Sequence, residues 1–426
     1  MAGRRAMGAV AVAACVATGA AVIMGQQDEV RARAEAIHAK ALTLDSHVDI
    51  AMRAGDYGVL TPGQKCDLVK MRQGGMKGVF LAAYVGQRQA FDGAAYKAAF
   101  DAAMRQLDFL HALTERQHPD LCAFAASPDE VERIAATGKR AIMTGLENGY
   151  PIGEDLATLR AFFDRGVRYV TLTHSGHNQI GDSSSDRTPP RHNGLSPFGE
   201  RVVAEMNRLG MMVDVSHAAA STFWDVIRVS TAPVIASHSG CKAVHDVDRN
   251  LDDDQLRALA KNGGVIQIVA LGSYLRADSP ERAEALRTAR AQLGFARAGE
   301  PGAAPGAEPQ TPEQQAEAQK RRDAYFVRMG AIDEQFPAAT LKDFVDHLDH
   351  AVKVAGIDHV GIGTDFDGGG GIPGFNSHAE ALNVTEALVR RGYAEADILK
   401  IWGGNLMRVW REVQGEAARR QAPDAR

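Results

Sequence analysis

Two residues with metal-binding side chains, His47 and Asp49, lie in the short apolar stretch Leu44–Ile50. Apolar residues at alternate positions predict a β-strand for this stretch. Side chains two positions apart in a strand point to the same side, so the imidazole and the carboxylate can reach one point. Such a pair is part of a ligand set for a zinc-type ion, whereas a core histidine beside a turn aspartate would explain both residues without a metal.

Five further ionisable residues lie where later predicted strands end. They are Glu147, His174, His217, His238 and Asp365. One histidine at a strand end is usually structural. Six strand ends of this kind are hard to explain by packing, because burying each ionisable group is costly unless it is paired or bound to a metal. The set therefore indicates one shared site.

The elements that would position these residues are eight short apolar strands separated by helical segments. We predict strands over 44–50, 77–85, 141–147, 167–174, 211–217, 232–238, 264–270 and 359–365. This alternation is typical of the α/β class and of a parallel (β/α)8 TIM-type barrel, in which the carboxyl ends of the strands meet on one face. An open doubly wound sheet is the competing fold, but no glycine-rich phosphate turn follows the first strand.

The predicted barrel domain covers residues 30–415 and contains one insertion. Residues 276–340 are rich in Ala, Glu, Arg, Pro and Gln and lie between predicted strands seven and eight. They predict two charged helices joined by a flexible linker at the surface near the mouth of the site. Residues 416–426 are charged and are predicted to be a flexible tail.

The composition is that of an ordinary globular protein of 426 residues, 45% hydrophobic and 24% charged. A formal net charge of −5 without a long basic run argues against nucleic acid as a partner. Three cysteines follow the first 25 residues, Cys66, Cys122 and Cys241, and they form no CxxC metal motif. Whether two of them form a disulfide stays open.

The first 25 residues predict a signal peptide or N-terminal anchor. Arg4 and Arg5 precede a nearly uncharged run rich in Ala, Val and Gly. We therefore expect an exported bacterial protein, periplasmic or tethered to the inner membrane, which contacts the membrane only through this leader if it is uncleaved or lipidated. The residues up to Cys15 also resemble a lipobox, but the apolar run continues beyond that cysteine.

Several motifs resemble those of the membrane (renal) dipeptidases, peptidase family M19 in the metal-dependent amidohydrolase superfamily. The motifs are DSHVD (45–49), GLENG (145–149), YVTLTH (169–174), DVSH (214–217), ASHS (236–239), DRN (248–250), GTDFDG (363–368) and GNLMRV (404–409). They occur in the order of the family and span nearly the whole chain after the leader. The insertion over 276–340 departs from the family pattern and leaves substrate size and entry in doubt.

The resemblance implies a site with two Zn²⁺ ions. His47 and Asp49 would hold one ion. His217 and His238 would hold the other, and Glu147 would bridge the two. A hydroxide shared by the ions is a nucleophile at neutral pH.

The resemblance also implies roles for three further residues. Asp365 matches the general base that takes a proton from the attacking water and passes it to the leaving amine. His174 matches the residue that stabilises the oxyanion, and Arg249 matches the group that binds the free carboxylate of the substrate. The implied activity is zinc-dependent hydrolysis of small dipeptides, including those with a C-terminal D-residue.

Other assignments of the same residues stay open. Arg249 could form a loop salt bridge, His177 could replace His174, and Asp367 could point the same way as Asp365. Asp45 and Asp214 are interpreted as structural groups or as groups that orient ligands. Other histidines are predicted to be ordinary surface or helix-end residues: His111, His118, His347, His350 and His359.

Two other functions compete with dipeptide hydrolysis. An N-acyl-D-amino-acid deacylase, or another amidohydrolase, would use the same metal site. A catalytically silent barrel would serve as a binding module, but it would have no need of a base such as Asp365. The native metal and the formation of a homodimer stay open.

Overall fold

A computed structural model describes residues 27–51, 56–294 and 312–421 of the chain. The predicted leader over 1–25, with Cys15, and most of the linker predicted within the insertion lie outside the described residues. No helix within the described ranges is long and apolar enough to cross a membrane.

Eight parallel strands form a nearly closed barrel, and a ninth short strand joins it at one side. The strands are β1 (Leu44–Asp49), β2 (Gly78–Tyr84), β3 (Cys122–Phe124), β4 (Arg140–Glu147), β5 (Val167–Thr171), β6 (Met212–Asp214), β7 (Val234–Ser239), β8 (Val265–Ile268) and β9 (Val360–Ile362). Their order is β1-β2-β4-β5-β6-β7-β8-β9, and every pair is parallel. A parallel bridge between Val48 and Phe366 links the last strand's end to the first strand. The predicted (β/α)8 TIM-type barrel is confirmed.

Helices connect the strands and surround the barrel. They are α1 (27–40), α2 (Leu68–Gln73), α3 (Gly93–Ala112), α4 (Pro128–Ala136), α5 (Leu156–Asp164), α6 (Pro197–Leu209), α7 (Ala220–Val229), α8 (Asp253–Lys261), α9 (Gly272–Leu275), α10 (Pro280–Gln292), α11 (Pro312–Gln335), α12 (Leu341–Ala355), α13 (Ala381–Arg390), α14 (Glu395–Leu399) and α15 (Asn405–Gln421). Side-chain caps begin several of them: Ser127 accepts a hydrogen bond from the Glu130 amide, and Ser196 accepts one from the Gly199 amide.

Two buried clusters separate the inside of the barrel from its outside. The inner cluster takes side chains from seven strands, and α15 packs against them, with the Trp410 ring 5.4 Å from that of Phe80 between centres. Its buried strand members are Leu44, Phe80, Ala141, Met143, Tyr169, Met212, Ile235 and Val265. The outer cluster takes the neighbouring strand residues, such as Val79, Ile142 and Val213, together with the surrounding helices. Because α15 fills the end where the strands begin, the opposite end is left for a site.

The structure differs from the predicted elements in three places. β3 was not predicted, because its three residues are too few to show a period, and it pairs only with the start of β4. Strands β5, β6 and β9 end about three residues earlier than predicted. The tail predicted to be flexible from residue 416 is helical as far as Gln421, because Ala417 is buried and the Gln421 side chain donates to the Arg208 carbonyl.

Helices α10 and α11 lie between β8 and α12, within the predicted insertion. Arg282 of α10 pairs with Asp278 and with Asp333 of α11. The Arg276 guanidinium donates to the carbonyls of Pro337 and Ala338 at 2.9 and 2.6 Å, which holds the two ends of this segment together. We call α10 and α11 the hairpin. The contact of Arg276 with Pro337 and Ala338 is the neck that joins the hairpin to the barrel.

Candidate metal centre

Glu147, the last residue of β4, lies at the centre of a group of four histidines. Its carboxylate oxygens are 3.5 Å from His47 Nε2, 3.7 Å from His174 Nε2, 3.1 Å from His217 Nε2 and 3.5 Å from His238 Nε2. The Glu147 side chain is buried. One carboxylate thus faces imidazoles that come from four other strands or from the loops that follow them.

Two carboxylates complete the cluster. Asp49 Oδ1 is 3.6 Å from His47 Nε2. Asp365 belongs to a group with His47 and His238 in which the ligand atoms all lie within 4.8 Å of one another. The structure therefore brings together all seven residues that the strand ends suggested. Distances alone do not show whether Asp365 differs in role from the other six.

Irregular pairing turns two of the histidines into the barrel. Leu44 of β1 faces inward and Val48 faces outward, which strict alternation does not allow, and the register of β1 against β2 shifts between Asp45 and Val48. A similar shift occurs in β7 between Ala236 and Ser239. Without these shifts, His47 and His238 would share the outward face, since side chains alternate along a regular strand.

Three other site residues lie in loops just beyond the strands rather than at their ends. His174 follows β5, His217 follows β6 and Asp365 follows β9. His217 and Asp365 have φ of 67° and 59°, a left-handed conformation that a strand cannot contain. Backbone hydrogen bonds hold both loops: the Ser184 amide donates to the His217 carbonyl, and the Asp365 amide donates to the His47 carbonyl.

Burial and neighbouring charges shift the pKa values of the cluster in both directions, and Glu147 and Asp49 outweigh burial and raise the pKa of His47. Burial raises the pKa of the Glu147 carboxyl, but the surrounding imidazoles overcome it, so the net pKa lies well below the usual value. Burial lowers the pKa of His217 and of His238 well below the ordinary value, which keeps both rings neutral. Burial, and then the charge of Glu147, raises the pKa of Asp49 to about 6. Burial, and then Asp49, raises the pKa of Asp365 well above its usual range.

The donor set fits a metal. His47 Nε2 and Asp49 Oδ1 are buried and have no hydrogen-bond partner, although each can offer a lone pair. Four imidazole nitrogens lie 3.1–3.7 Å from a Glu147 carboxylate oxygen. Ligands at about 2.0–2.1 Å on a tetrahedral ion would be about 3.3 Å apart. Imidazole and carboxylate are also the ligand types that zinc takes in catalytic sites.

Arg249 lies beside the cluster and is buried. Its guanidinium donates to the His238 carbonyl at 3.1 Å and to Ser239 Oγ at 3.4 Å, and it lies 5.1 Å from the ring centre of Tyr274. It forms no salt bridge with any carboxylate of the described residues, so the loop salt bridge considered from the sequence is not present there. The nearby exposed ion pair joins Asp248 to Arg187 instead.

Two of the open assignments are decided by hydrogen bonds. The Asp367 carboxylate accepts from the backbone amides of Lys65 and Cys66, at 2.7 and 3.0 Å, and so fixes a loop rather than the cluster. His177 accepts from the Ser183 amide within its own loop. Neither belongs to a group of ligand atoms among the described residues.

Several residues near the site were not found from the sequence. Tyr84, the last residue of β2, is partly exposed and lies 4.6 Å from His174 between ring centres. His378 is fully buried and is 2.8 Å from Asp45, which also accepts from the amide and hydroxyl of Thr364. His347, predicted to be an ordinary surface or helix-end residue, is also fully buried. An isolated tyrosine or histidine carries no sequence pattern that would have identified it.

Comparisons with known proteins point to one family. The model of the membrane dipeptidase family, peptidase family M19, matches residues 31–424. Dipeptidase tcpJ of Claviceps purpurea is 32% identical over 357 residues, which are 83% of this chain and 70% of that protein. Dipeptidase verJ of Clonostachys rogersoniana is 31% identical over 354 residues, which are 82% of this chain and 76% of that protein.

Solved structures give the same result. The probable dipeptidase PvdM of Pseudomonas aeruginosa is 34% identical with a TM-score of 0.76, over 92% of this chain and 100% of that chain. A metallopeptidase of Rhodobacter sphaeroides, solved with a phosphinate mimic of the dipeptide L-Ala-D-Ala, is 26% identical with a TM-score of 0.66, over 88% of this chain and 99% of that chain. The chain therefore belongs to the membrane dipeptidase family, peptidase family M19.

Proposed function

We propose that this protein is a zinc-dependent dipeptidase that hydrolyses dipeptides, including those with a C-terminal D-residue. The observation that carries the proposal is a buried arginine without a carboxylate partner among the described residues, next to a cluster of histidines and carboxylates. The dipeptide mimic bound by the metallopeptidase of Rhodobacter sphaeroides supports the same substrate class. The relatives named above do not favour the N-acyl-D-amino-acid deacylase.

Two zinc ions per chain are proposed to occupy the cluster. His47 and Asp49 would hold one ion, His217 and His238 would hold the other, and Glu147 would be shared. Bound there, the ions would lower the pKa of a water between them so that it can attack at neutral pH. The short distances from Glu147 to histidines of both proposed sites support its shared position.

Three side chains would act on the substrate itself. Arg249 would bind the free carboxylate of the dipeptide through two parallel hydrogen bonds. His174 would donate to the oxygen that becomes negative when the carbonyl is attacked, because its Nε2 side faces the cluster. Asp365 would take the proton of the attacking water and give it to the leaving amine.

The experiment compares Arg249→Ala with wild type on L-Ala-D-Ala and on its C-terminal amide. Charge-assisted hydrogen bonds contribute about 1.5–3 kcal/mol, so KM for the free acid should rise about 10- to 100-fold, with a much smaller change for the amide. Arg187→Ala, an exposed arginine near Arg249, is the control. An equal effect of Arg249→Ala on both substrates would remove the proposed role, and faster turnover of N-acetyl-D-alanine than of L-Ala-D-Ala by wild type would favour the deacylase.

Export through the N-terminal leader is proposed as well. Its support is the order of charged and apolar residues in the first 25 positions. A fusion of residues 1–40 to alkaline phosphatase should be active outside the bacterial cytoplasm, and replacing Arg4 and Arg5 by glutamate should reduce that activity. A fusion that remains wholly cytoplasmic would contradict export.

A further inference from the structure

Asp214, the last residue of β6, is fully buried beneath the metal centre and accepts four hydrogen bonds. Its Oδ1 accepts from the amides of Ser216 and Ser237, at 3.0 and 2.8 Å. Its Oδ2 accepts from the hydroxyls of Thr171 and Ser237, both at 2.6 Å. An ionised carboxylate is an acceptor only, so the single hydroxyl hydrogen of Ser237 is used in the bond to Asp214.

The direction of this hydrogen bond determines which ring nitrogen of His238 carries the proton. Ser237 Oγ is also 2.8 Å from His238 Nδ1. Because its hydrogen is already donated, the Ser237 oxygen accepts here, and His238 must carry its proton on Nδ1. The lone pair of the ring then lies on Nε2, which faces Glu147 Oε1 at 3.5 Å and His217 Nε2 at 2.9 Å. Asp214 thus selects, through Ser237, the tautomer of His238 that can bind a cation.

A different group makes the shortest contact with Nδ1 of His47, the histidine proposed to hold the other ion. The hydroxyl of Tyr169, on β5, is 2.8 Å from His47 Nδ1, whereas Ser237 Oγ is 3.4 Å from the same nitrogen. The Tyr169 ring is fully buried and occupies the space above Gly145, where any side chain would meet it. His47 Nε2 on the far side of the ring has no hydrogen-bond partner and faces Asp49 and Glu147.

We propose that the two metal sites have separate positioning residues, Tyr169 for His47 and the Asp214–Ser237 pair for His238. This inference rests on the proposed two-metal site. Removing one positioning group should weaken one ion and leave the other unchanged. Loss of outer hydrogen-bond partners of metal ligands typically lowers affinity about 10- to 100-fold.

The experiment measures zinc stoichiometry and affinity by chelator competition on purified full-length protein, without using activity. Ser237→Ala and Tyr169→Phe should each weaken one of two ions by about 10- to 100-fold. Thr144→Val is the matched control. It removes a buried hydroxyl of β4 that donates to the Leu81 carbonyl of β2, and it should bind both ions like wild type. Ser237→Thr keeps a hydroxyl and should restore the affinity.

The His217→Ala background identifies the ion that each group serves. With the His217–His238 site already weakened, Tyr169→Phe should still weaken the remaining ion and Ser237→Ala should not. Asp214→Asn reverses the hydrogen bond to Ser237 and should weaken the same ion as Ser237→Ala, with no further loss when the two are combined. Because Asp214→Asn and Ser237→Ala test the same site, the test stays valid if one of these two variants folds poorly.

Three results would overturn the inference, and one would overturn its basis. Unchanged affinity in both Ser237→Ala and Tyr169→Phe would exclude a positioning role. Equal weakening of both ions by either variant would exclude separate groups, as would loss of the same ion in both. Wild-type protein that binds a single ion would instead contradict the two-metal proposal, whatever the variants do.

Discussion

At the scale of single residues, the site depends on the position of Glu147. It is the one carboxylate within 4 Å of His47, His174, His217 and His238 among the described residues. Asp49 and Asp365 lie close enough to repel each other's charge, and burial adds to the effect. The two ions proposed above would remove that repulsion, which would explain so many ionisable residues in one buried place.

Asp365→Asn tests whether Asp365 is the base or a ligand. The amide keeps the size of the side chain but cannot accept the proton of water, so kcat should fall about 10²- to 10⁴-fold while zinc content stays unchanged. Steady-state kinetics and elemental analysis on the same preparation measure both. Asp367→Asn is the control, because within the described residues that carboxylate accepts hydrogen bonds from the backbone amides of Lys65 and Cys66 alone. Loss of zinc in Asp365→Asn would mean that Asp365 is a ligand.

At the scale of elements, the site residues lie where the strand pairing is irregular or where a strand has just ended. The register shifts in β1 and β7 turn His47 and His238 inward, and left-handed residues in the loops after β6 and β9 direct His217 and Asp365. Gly368 allows Asp49 and Asp365 to approach, because a Cβ there would lie 2.4 Å from an Asp365 oxygen. Bulges and left-handed residues of this kind are common next to active sites, where they redirect a side chain.

Helix α12 supports the loop that carries Arg249, through the fully buried His347. Its Nδ1 accepts from the Cys241 amide at 2.9 Å and its Nε2 donates to the Leu275 carbonyl at 3.0 Å. Burial lowers the pKa of His347 to about 4, below the value of about 6.5 for an exposed histidine. The unfolded chain therefore binds a proton between these values that the folded chain does not.

The sign of the pH effect follows from this difference. Stability contributed by neutral His347 is present above about pH 6.5 and is lost as the pH falls toward about 4. Between about pH 7 and pH 5 the free energy of unfolding should fall by about 2 kcal/mol through this group. Urea unfolding at both pH values should show a smaller fall for His347→Gln than for wild type. The partly exposed His111→Gln is the control, and an unchanged fall in His347→Gln would contradict the assignment.

At the scale of the whole molecule, the barrel and the hairpin of α10 and α11 are nearly independent. Among the hairpin side chains that the structure describes, the buried apolar ones, Ala289 and Ile332, belong to neither core cluster, whereas Leu275 and Ala339 on either side of it belong to the outer cluster. The neck formed by Arg276 is the main connection that the hydrogen bonds show. The barrel core is thus complete without the hairpin.

Replacing residues 277–336 by a short Gly/Ser linker should leave the barrel and its metal content intact. The melting temperature should change by less than about 4 °C, because few core contacts are lost. Calorimetry and elemental analysis check the two expectations. Changed turnover of longer peptides with unchanged dipeptide hydrolysis would show that the hairpin limits substrate size. A truncated protein that loses its zinc would contradict the independence of the two parts.

The sequence by itself determined the barrel class, the family resemblance and the chemical types at the site. These follow from local information: apolar runs of strand length, and His, Asp or Glu where the runs end. It did not reveal β3, which is too short to show a period, or the contacts that Tyr169 and His378 make with residues distant in the sequence.

Only the tertiary structure decided which way the side chains of His47 and His238 point. Regular alternation from Leu44 or Ile235 would place them on the outer face. The register shifts against β2 and β8 reverse that direction, and they depend on pairing between strands distant in sequence. Arg249 has no carboxylate partner among the described residues, and this too depends on which loops meet in the folded chain. A chain pattern specifies the ligand types, but the pairing of strands and loops specifies where each ligand atom lies.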